Sequence, residues 1–167
     1  MDISLEKIRL EQKDIFIRLM QLYLYDFSEY SADDVNSQGN FEYPYIDAYW
    51  QEEGRYPFFI KADGKFAGLV LVRSGSEYNR LCGAHNIAEF FIMKKYRSCG
   101  AGTEAAAKIF DMFPGKWEIS VWENNLPAEK FWEKVVSGCT DGNFRKFFSE
   151  KNKITGFVFD YPPRTEK

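Results

Sequence analysis

Six consecutive residues, Arg97-Ser98-Cys99-Gly100-Ala101-Gly102, carry the clearest chemistry in the chain. Two glycines separated by one residue follow an arginine. The strand-like run NIAEFFIMK precedes them, and a helix-like run, TEAAAKIFDMF, begins at Thr103. A glycine turn between strand and helix offers unpaired backbone N–H groups at the helix's positive end, which suits phosphate. Gly100 and Gly102 lack the Cβ atoms that would keep a phosphate off the backbone. Lys94, Lys95 and Arg97 add long-range attraction. The second chemical group is Glu89, in Ile87-Ala88-Glu89-Phe90-Phe91-Ile92-Met93, where both alternating faces are apolar. An ionised carboxylate there is costly, so burial favours the protonated form, the direction a base near neutral pH requires. The plainer readings are a glycine-capped turn beside a solvated basic face, and a structural or strand-end carboxylate. Glu118 and the hydroxyl of Ser120, one strand later, are alternative bases that strand phasing does not separate.

Two nucleotide motifs compete for the glycine turn. A P-loop requires Lys directly after its last glycine, and Gly102 is followed by Thr103. A dinucleotide fingerprint fits formally as Gly100-x-Gly102-x-x-Ala105, with Glu123 about 20 residues on. In that fold, however, the glycines follow the strand almost at once, whereas Lys94 to Ser98 intervene here. Too little chain remains for a second mononucleotide half.

The elements that must position these groups follow from periodicity. SLEKIRLEQ alternates and predicts a first strand. Lys13 to about Phe27 repeats apolar residues at helical spacing. Residues 31–45 read as a loop, and a short helix is expected around Ile46–Glu53. Residues 55–75 predict a hairpin turning at Ala62-Asp63-Gly64. A strand over NIAEFFIMK, a helix over Gly102–Phe113, a strand over KWEISVWEN and a helix over Leu126–Val136 follow. NFRKFFSEKN and ITGFVFDY close the chain as a strand pair. The order predicts an α/β (mixed α+β) fold: a mixed, mostly antiparallel sheet of six to seven strands flanked by four helices. One domain over residues 1–161 is expected, with 162–167 as a frayed tail.

Charge is unevenly placed. From Leu19 to Gly54 there is no Lys or Arg but eight acids, so the other 17 acids face all 22 bases. The same stretch carries Tyr23, Tyr25, Phe27, Tyr30, Phe41, Tyr43, Tyr45, Tyr49 and Trp50. Acids with aromatic faces suit an organic cation; a solvated acidic loop is the plainer account. No stripe of bases suits nucleic acid. No run of ~18 apolar residues spans a membrane, and MDISLEKIRL lacks a signal core, so a cytoplasmic protein is expected. Cys82, Cys99 and Cys139 have neither disulfide-framework nor zinc spacing. The lone His85, read as a loop residue, removes most His-based metal sites, and no metal is expected. Cys99, inside the glycine turn near a helix start, either is reactive or simply fills the turn.

In motif and in setting the chain resembles the GNAT acyltransferase superfamily. That family's phosphate loop, Arg/Gln-x-x-Gly-x-Gly/Ala, follows its fourth strand and opens its third helix, as Arg97–Gly102 would. Its fifth strand ends in a turn before a helix that often begins Asn-x-x-Ala and continues Phe-Tyr-Glu-Lys; this chain has Asn125-Leu126-Pro127-Ala128 and Phe131-Trp132-Glu133-Lys134. The resemblance covers the element order of the whole chain and, in motif, about Phe58 to Val136.

The resemblance implies acetyl-CoA (coenzyme A) as donor. The diphosphate would rest on Arg97, Ser98, Cys99, Gly100, Ala101, Gly102 and Thr103. The pantetheine arm would run beside Phe91, Ile92 and Met93 where the fourth and fifth strands splay, bordered by Asn125 and Trp132. The Ile92 N–H would hold the thioester carbonyl, and Glu89 would deprotonate an attacking primary amine. The acceptor, a cationic small molecule or basic peptide, would lie against Asp26, Tyr30, Tyr43 and Tyr45. Where the family often places a tyrosine acid, this chain has Trp132, whose indole N–H is a poor acid; Tyr43, Tyr45 or water are the substitutes. A non-catalytic acyl-CoA-binding or partner-binding module on the same fold is the alternative. Either a monomer or a homodimer is compatible.

Overall fold

The computed structural model describes residues 1–162. Most of the tail expected to fray, residues 163–167, lies outside the described residues. Strands β1 (Ile3–Lys7), β2 (Arg55–Ala62), β3 (Lys65–Ser74), β4 (His85–Ile92), β5 (Gly115–Trp122), β6 (Phe144–Ser149) and β7 (Ile154–Tyr161) form one sheet in the order β1-β2-β3-β4-β5-β7-β6. Helices α1 (Lys13–Phe27), α2 (Ala48–Gln51), α3 (Ala101–Met112) and α4 (Leu126–Thr140) punctuate it. The sheet is mostly antiparallel; β4 and β5, joined through α3, are parallel, in register at His85–Trp117 and Asn86–Glu118. The predicted fold class and element order hold.

Residue contacts cluster into two compact units. The first comprises Met1–Leu71 and Glu89–Ala101, the second Val72–Ala88 and the chain from Gly102 onward. In the first, β1 pairs antiparallel with β2, from Ile3–Ala62 to Lys7–Phe58. Phe16 of α1 is fully buried and meets Trp50 edge-on at 5.6 Å, while the Trp50 indole donates to the Ile8 carbonyl at 3.2 Å. The β2–β3 turn carries Asp63 and Gly64 at φ 48° and 74°, the paired left-handed residues of a tight hairpin, as Asp-Gly predicted.

In the second unit Trp117 of β5 and Phe110 of α3 are fully buried and meet edge-on at 4.9 Å, with Phe159 of β7 at 5.2 Å from Phe110. Burial on this scale stabilises by roughly 2–3 kcal/mol per ring. Gly156 of β7 leaves room for a ring of β6: an added Cβ would stand 2.2 Å from Phe147 Cζ.

Most boundaries shift by a few residues, and three of the shifts have a local cause. The first strand does not run through Gln12. It stops at Lys7, and a 3₁₀ turn over Leu10–Gln12 follows, because the Gln12 side chain accepts from the Arg9 N–H at 3.0 Å. This local bond replaces ladder pairing. The short helix is confined to Ala48–Gln51, since Glu52 is extended and Gly54 left-handed at φ 75°. Helix α4 runs four residues past Val136, through Gly138, and ends where Asp141 turns left-handed at φ 52°.

Candidate active site

Within the first unit, β4 runs out at Ile92 into a 3₁₀ turn, Lys94–Tyr96, and then the glycine loop. Ser98 and Gly100 adopt φ 60° and 89°, and α3 opens at Ala101, one residue earlier than predicted. A Cβ added at Gly100 would meet nothing within 4 Å, so the loop faces open space. Left-handed residues followed by a helix start turn successive N–H groups outward, a cradle for an anion. The Cys99 thiol is exposed and donates to the Tyr96 carbonyl at 3.0 Å.

Arg97 is doubly engaged. Its Nε donates to the Ile92 carbonyl at 2.7 Å, and its Nη2 donates to Asp26 Oδ2 at 2.5 Å. Lys94 Nζ stands 3.5 Å from the other Asp26 oxygen. Asp26, read from sequence as an acceptor-binding acid, is therefore brought instead to the cations of the glycine loop. Two more acids of the cation-free stretch are paired, Asp47 with Lys13 and Glu52 with Arg55. Glu29, Asp33, Asp34, Glu42 and Glu53 are exposed.

Glu89 lies half-buried in mid-β4, and two tyrosines converge on it. Tyr23 of α1 donates to Oε2 at 2.5 Å, and Tyr43 of the 31–45 loop donates to Oε1 at 3.0 Å. Burial, then the Glu89 charge, hold the Tyr23 and Tyr43 phenols well above the usual tyrosine range. Both therefore stay protonated as donors. Tyr45 is exposed and meets Tyr43 edge-on at 5.8 Å; Tyr30 packs on Phe27 at 6.1 Å. Of the four acceptor-side residues named from sequence, Tyr43 reaches Glu89.

Behind the end of β4, Gly68 of β3 admits a close backbone approach. A Cβ there would lie 1.9 Å from the Phe91 carbonyl oxygen and 3.2 Å from Ile92 Cα. The Met93 N–H donates to the Ala67 carbonyl at 2.8 Å. The path of β4 at Phe91–Met93, the stretch named for the pantetheine arm, thus depends on a glycine. Sequence reading passed over Gly68, Tyr23's bond to Glu89 and Gln21; an isolated glycine inside a strand pattern is the usual signal of the first.

Within the second unit, Asn125 caps α4, accepting from the Ala128 N–H at 3.1 Å. That bond is the local physics of the Asn-x-x-Ala motif. Trp132 is 5% exposed, packed edge-on against Phe131 at 5.0 Å. Glu118 is wholly buried. It accepts from Ser76 Oγ at 2.6 Å, from the N–H groups of Glu77, Tyr78 and Asn79 at 2.7, 2.8 and 3.0 Å, and from Asn79 Nδ2 at 2.7 Å. Burial alone would raise its carboxyl, but the Ser76, Asn79 and backbone donors outweigh it and hold it below the usual range. A carboxylate held ionised in this way is a weaker base than a free one. His85 opens β4 rather than lying in a loop, 5.2 Å from Phe113 and 5.4 Å from Trp117. Burial depresses its imidazole.

Three comparisons bear on this arrangement. The sequence model described as the acetyltransferase (GNAT) family matches residues 18–136. No curated protein matches the sequence. Among solved structures the chain is similar to an acetyltransferase from Thermus thermophilus, at TM-score 0.71 and 13% identity over 96% of this chain and 97% of that one. It is also similar to FdhC, described as a nucleotide-linked sugar GNAT, at 0.64 and 15% over 95% and 86%. The PaiA N-acetyltransferase from Thermoplasma acidophilum, in complex with coenzyme A, aligns at 0.60 and 12% over 96% and 100%. At such identities the structural likeness shows the fold. No helix among the described residues is long and apolar enough to cross a membrane.

Proposed function

Because the chain belongs to the GNAT acetyltransferase family, whose donor is acetyl-CoA, we propose that it is an N-acetyltransferase acting by direct attack of a primary amine in a ternary complex. In this reading residues 1–161 act as one acyltransferase domain, in the cytoplasm, as monomer or homodimer. The observation that carries the reading is the pair of phenols on Glu89, in the strand that leads into the glycine loop.

The loop's geometry fits the donor: left-handed Ser98 and Gly100, open space where a Gly100 side chain would stand, and a helix start at Ala101. Arg97 to Thr103 would hold the diphosphate, Phe91 to Met93 the arm, and Asn125 and Trp132 its border. Acetyl-CoA supplies an acetyl group already activated as a thioester. The Ile92 N–H is assigned to the acyl oxygen. Glu89, directly or through water, takes the proton the amine must lose. Tyr23 and Tyr43 orient that carboxylate. The new C–N bond would form as the C–S bond breaks, and coenzyme A would leave as a thiolate that takes its proton from water, because neither phenol releases a proton near neutral pH and the Trp132 indole N–H is too weak an acid.

The acceptor is a cationic small molecule or basic peptide, drawn by the exposed Glu29, Asp33, Asp34 and Glu42 and faced by Tyr30, Tyr43 and Tyr45. With Asp26 engaged by Arg97, the exposed acids of the stretch carry the attraction. The tryptophan at 132 favours one second reading, a non-catalytic acyl-CoA-binding module, since it leaves no phenol at that point of α4.

One experiment separates the readings. Acetyl-CoA binding is titrated calorimetrically, and thiol release is assayed with polyamines, aminoglycosides and basic peptides, for the natural chain and Glu89→Gln. We expect binding by both and a fall of about 10²–10⁴ in turnover for the variant. Binding with no turnover against any amine supports the module. Equal turnover by both overturns Glu89 as base.

A further inference from the structure

Residues 31–45 form no helix or strand, yet they are held at two points. Asn36 builds the first. Its Oδ1 accepts from the Gln38 and Asn40 N–H groups at 3.0 and 3.1 Å, and its own N–H donates to the Asn40 carbonyl at 2.9 Å. The second is Gln21 of α1. Its Oε1 accepts from the Phe41 N–H at 2.8 Å, and its Nε2 donates to the Phe41 carbonyl at 2.9 Å. A side-chain amide that satisfies both backbone groups of one residue fixes that peptide's position and orientation, as a strand partner would. Two residues later Tyr43 reaches Glu89.

We propose that Gln21 is a positioning residue for Glu89: it clamps Phe41 so that the Tyr43 hydroxyl stays on the Glu89 carboxylate and sets that group's protonation. The proposal rests on the reading of Glu89 as the base, but its test does not. Tyr23 and Gln21 lie on the same helix, two residues apart. One turn of α1 thus supplies one donor to Glu89 directly and the other through the loop.

Aromatic hydroxyls stand on Glu89 from two elements. Tyr23 faces it from α1 and Tyr43 from the loop. Tyr49 of α2 acts on both phenols. The Arg55 guanidinium, paired with Glu52, stands 5.5 Å from the Tyr49 ring. A hydroxyl that donates to a carboxylate favours its ionised form. Removing Tyr43's hydroxyl, or freeing the loop that carries it, therefore moves the carboxyl titration upward.

The test is a ¹³C NMR titration of the Glu89 side-chain carboxyl, assigned by its loss in Glu89→Gln, with no acceptor present. Tyr43→Phe is nearly isosteric and is expected to raise the midpoint by about one pH unit. Gln21→Ala should raise it by the same amount, and the double variant by no more than either alone. Gln21→Glu, which keeps the acceptor half of the clamp, should move it less than Gln21→Ala. Circular dichroism verifies folding, and Gln21→Glu takes the place of Gln21→Ala if the latter fails to fold. An unmoved midpoint in folded Gln21 variants overturns the clamp, and additive shifts overturn the shared route. An upward shift alongside a fully active Glu89→Gln would keep the clamp and discard the base.

Discussion

Asp26 and Arg97, 71 residues apart in the chain, meet at 2.5 Å, so a carboxylate sits on the arginine of the glycine loop. Their side chains are 27% and 38% exposed, which limits the pair to about 1 kcal/mol or less. Asp26 offsets positive charge where a diphosphate is expected. Asp26→Asn should tighten acetyl-CoA binding up to about fivefold at low salt, with the gain shrinking as salt screens it. Arg97→Ala should weaken binding about tenfold, by loss of a charge-assisted bond. Calorimetric titration at two ionic strengths measures both. Weaker binding by Asp26→Asn would mean that the pair serves to hold the loop's shape.

Gly68→Ala brings a methyl carbon to within 1.9 Å of the Phe91 carbonyl oxygen, and the obstacle is backbone, which has no rotamer to turn away. Elsewhere in a strand this exchange would be mildly stabilising. Here the expected cost is about 1–3 kcal/mol, or several degrees of melting temperature. Because β4 must shift at Phe91–Ile92, acetyl-CoA affinity should fall with it. Gly64→Ala, at an open hairpin turn, serves as the comparison: it strains its own left-handed backbone and should leave the affinity unchanged. A Gly68→Ala variant with unchanged affinity would separate the path of β4 from donor binding.

What was legible in the sequence was local. The glycine loop, the Asp-Gly hairpin and the α1 periodicity are each specified by residues within a few positions of one another, and the elements form where expected. Glu89 was legible as a carboxylate in an apolar run. Its partners were not, because Tyr23 and Tyr43 reach it across 66 and 46 residues. Helical spacing marks Tyr23 as inward-facing without saying which strand it meets. The pairing of Asp26 with Arg97 was hidden for a related reason: an acid-rich stretch shows net charge, not which acids are already paired. The phase of β5 left Glu118 and Ser120 undecided, since nothing in Ser76-Glu77-Tyr78-Asn79 announces a loop whose amides turn toward one carboxylate.

Glu118 gives the chain a pH dependence with a definite sign. Its carboxyl is held below the ordinary value of 4.5 in the folded state, by hydrogen bonds that outweigh burial. It therefore contributes stability that is fully present above that value and is lost as pH falls through the lower, folded-state value. Glu118→Gln keeps one acceptor oxygen but puts an NH₂ group against donors from Ser76, Asn79 and the 77–79 backbone. At neutral pH this should cost about 3 kcal/mol, lowering the melting temperature by about 6–12 °C. The gap between natural chain and variant should narrow on acidification below pH 4.5. Thermal melts from pH 7 to pH 3 measure it. A gap that stays constant over that range would mean that the Glu118 carboxyl does not titrate between folded and unfolded states as its bonds require.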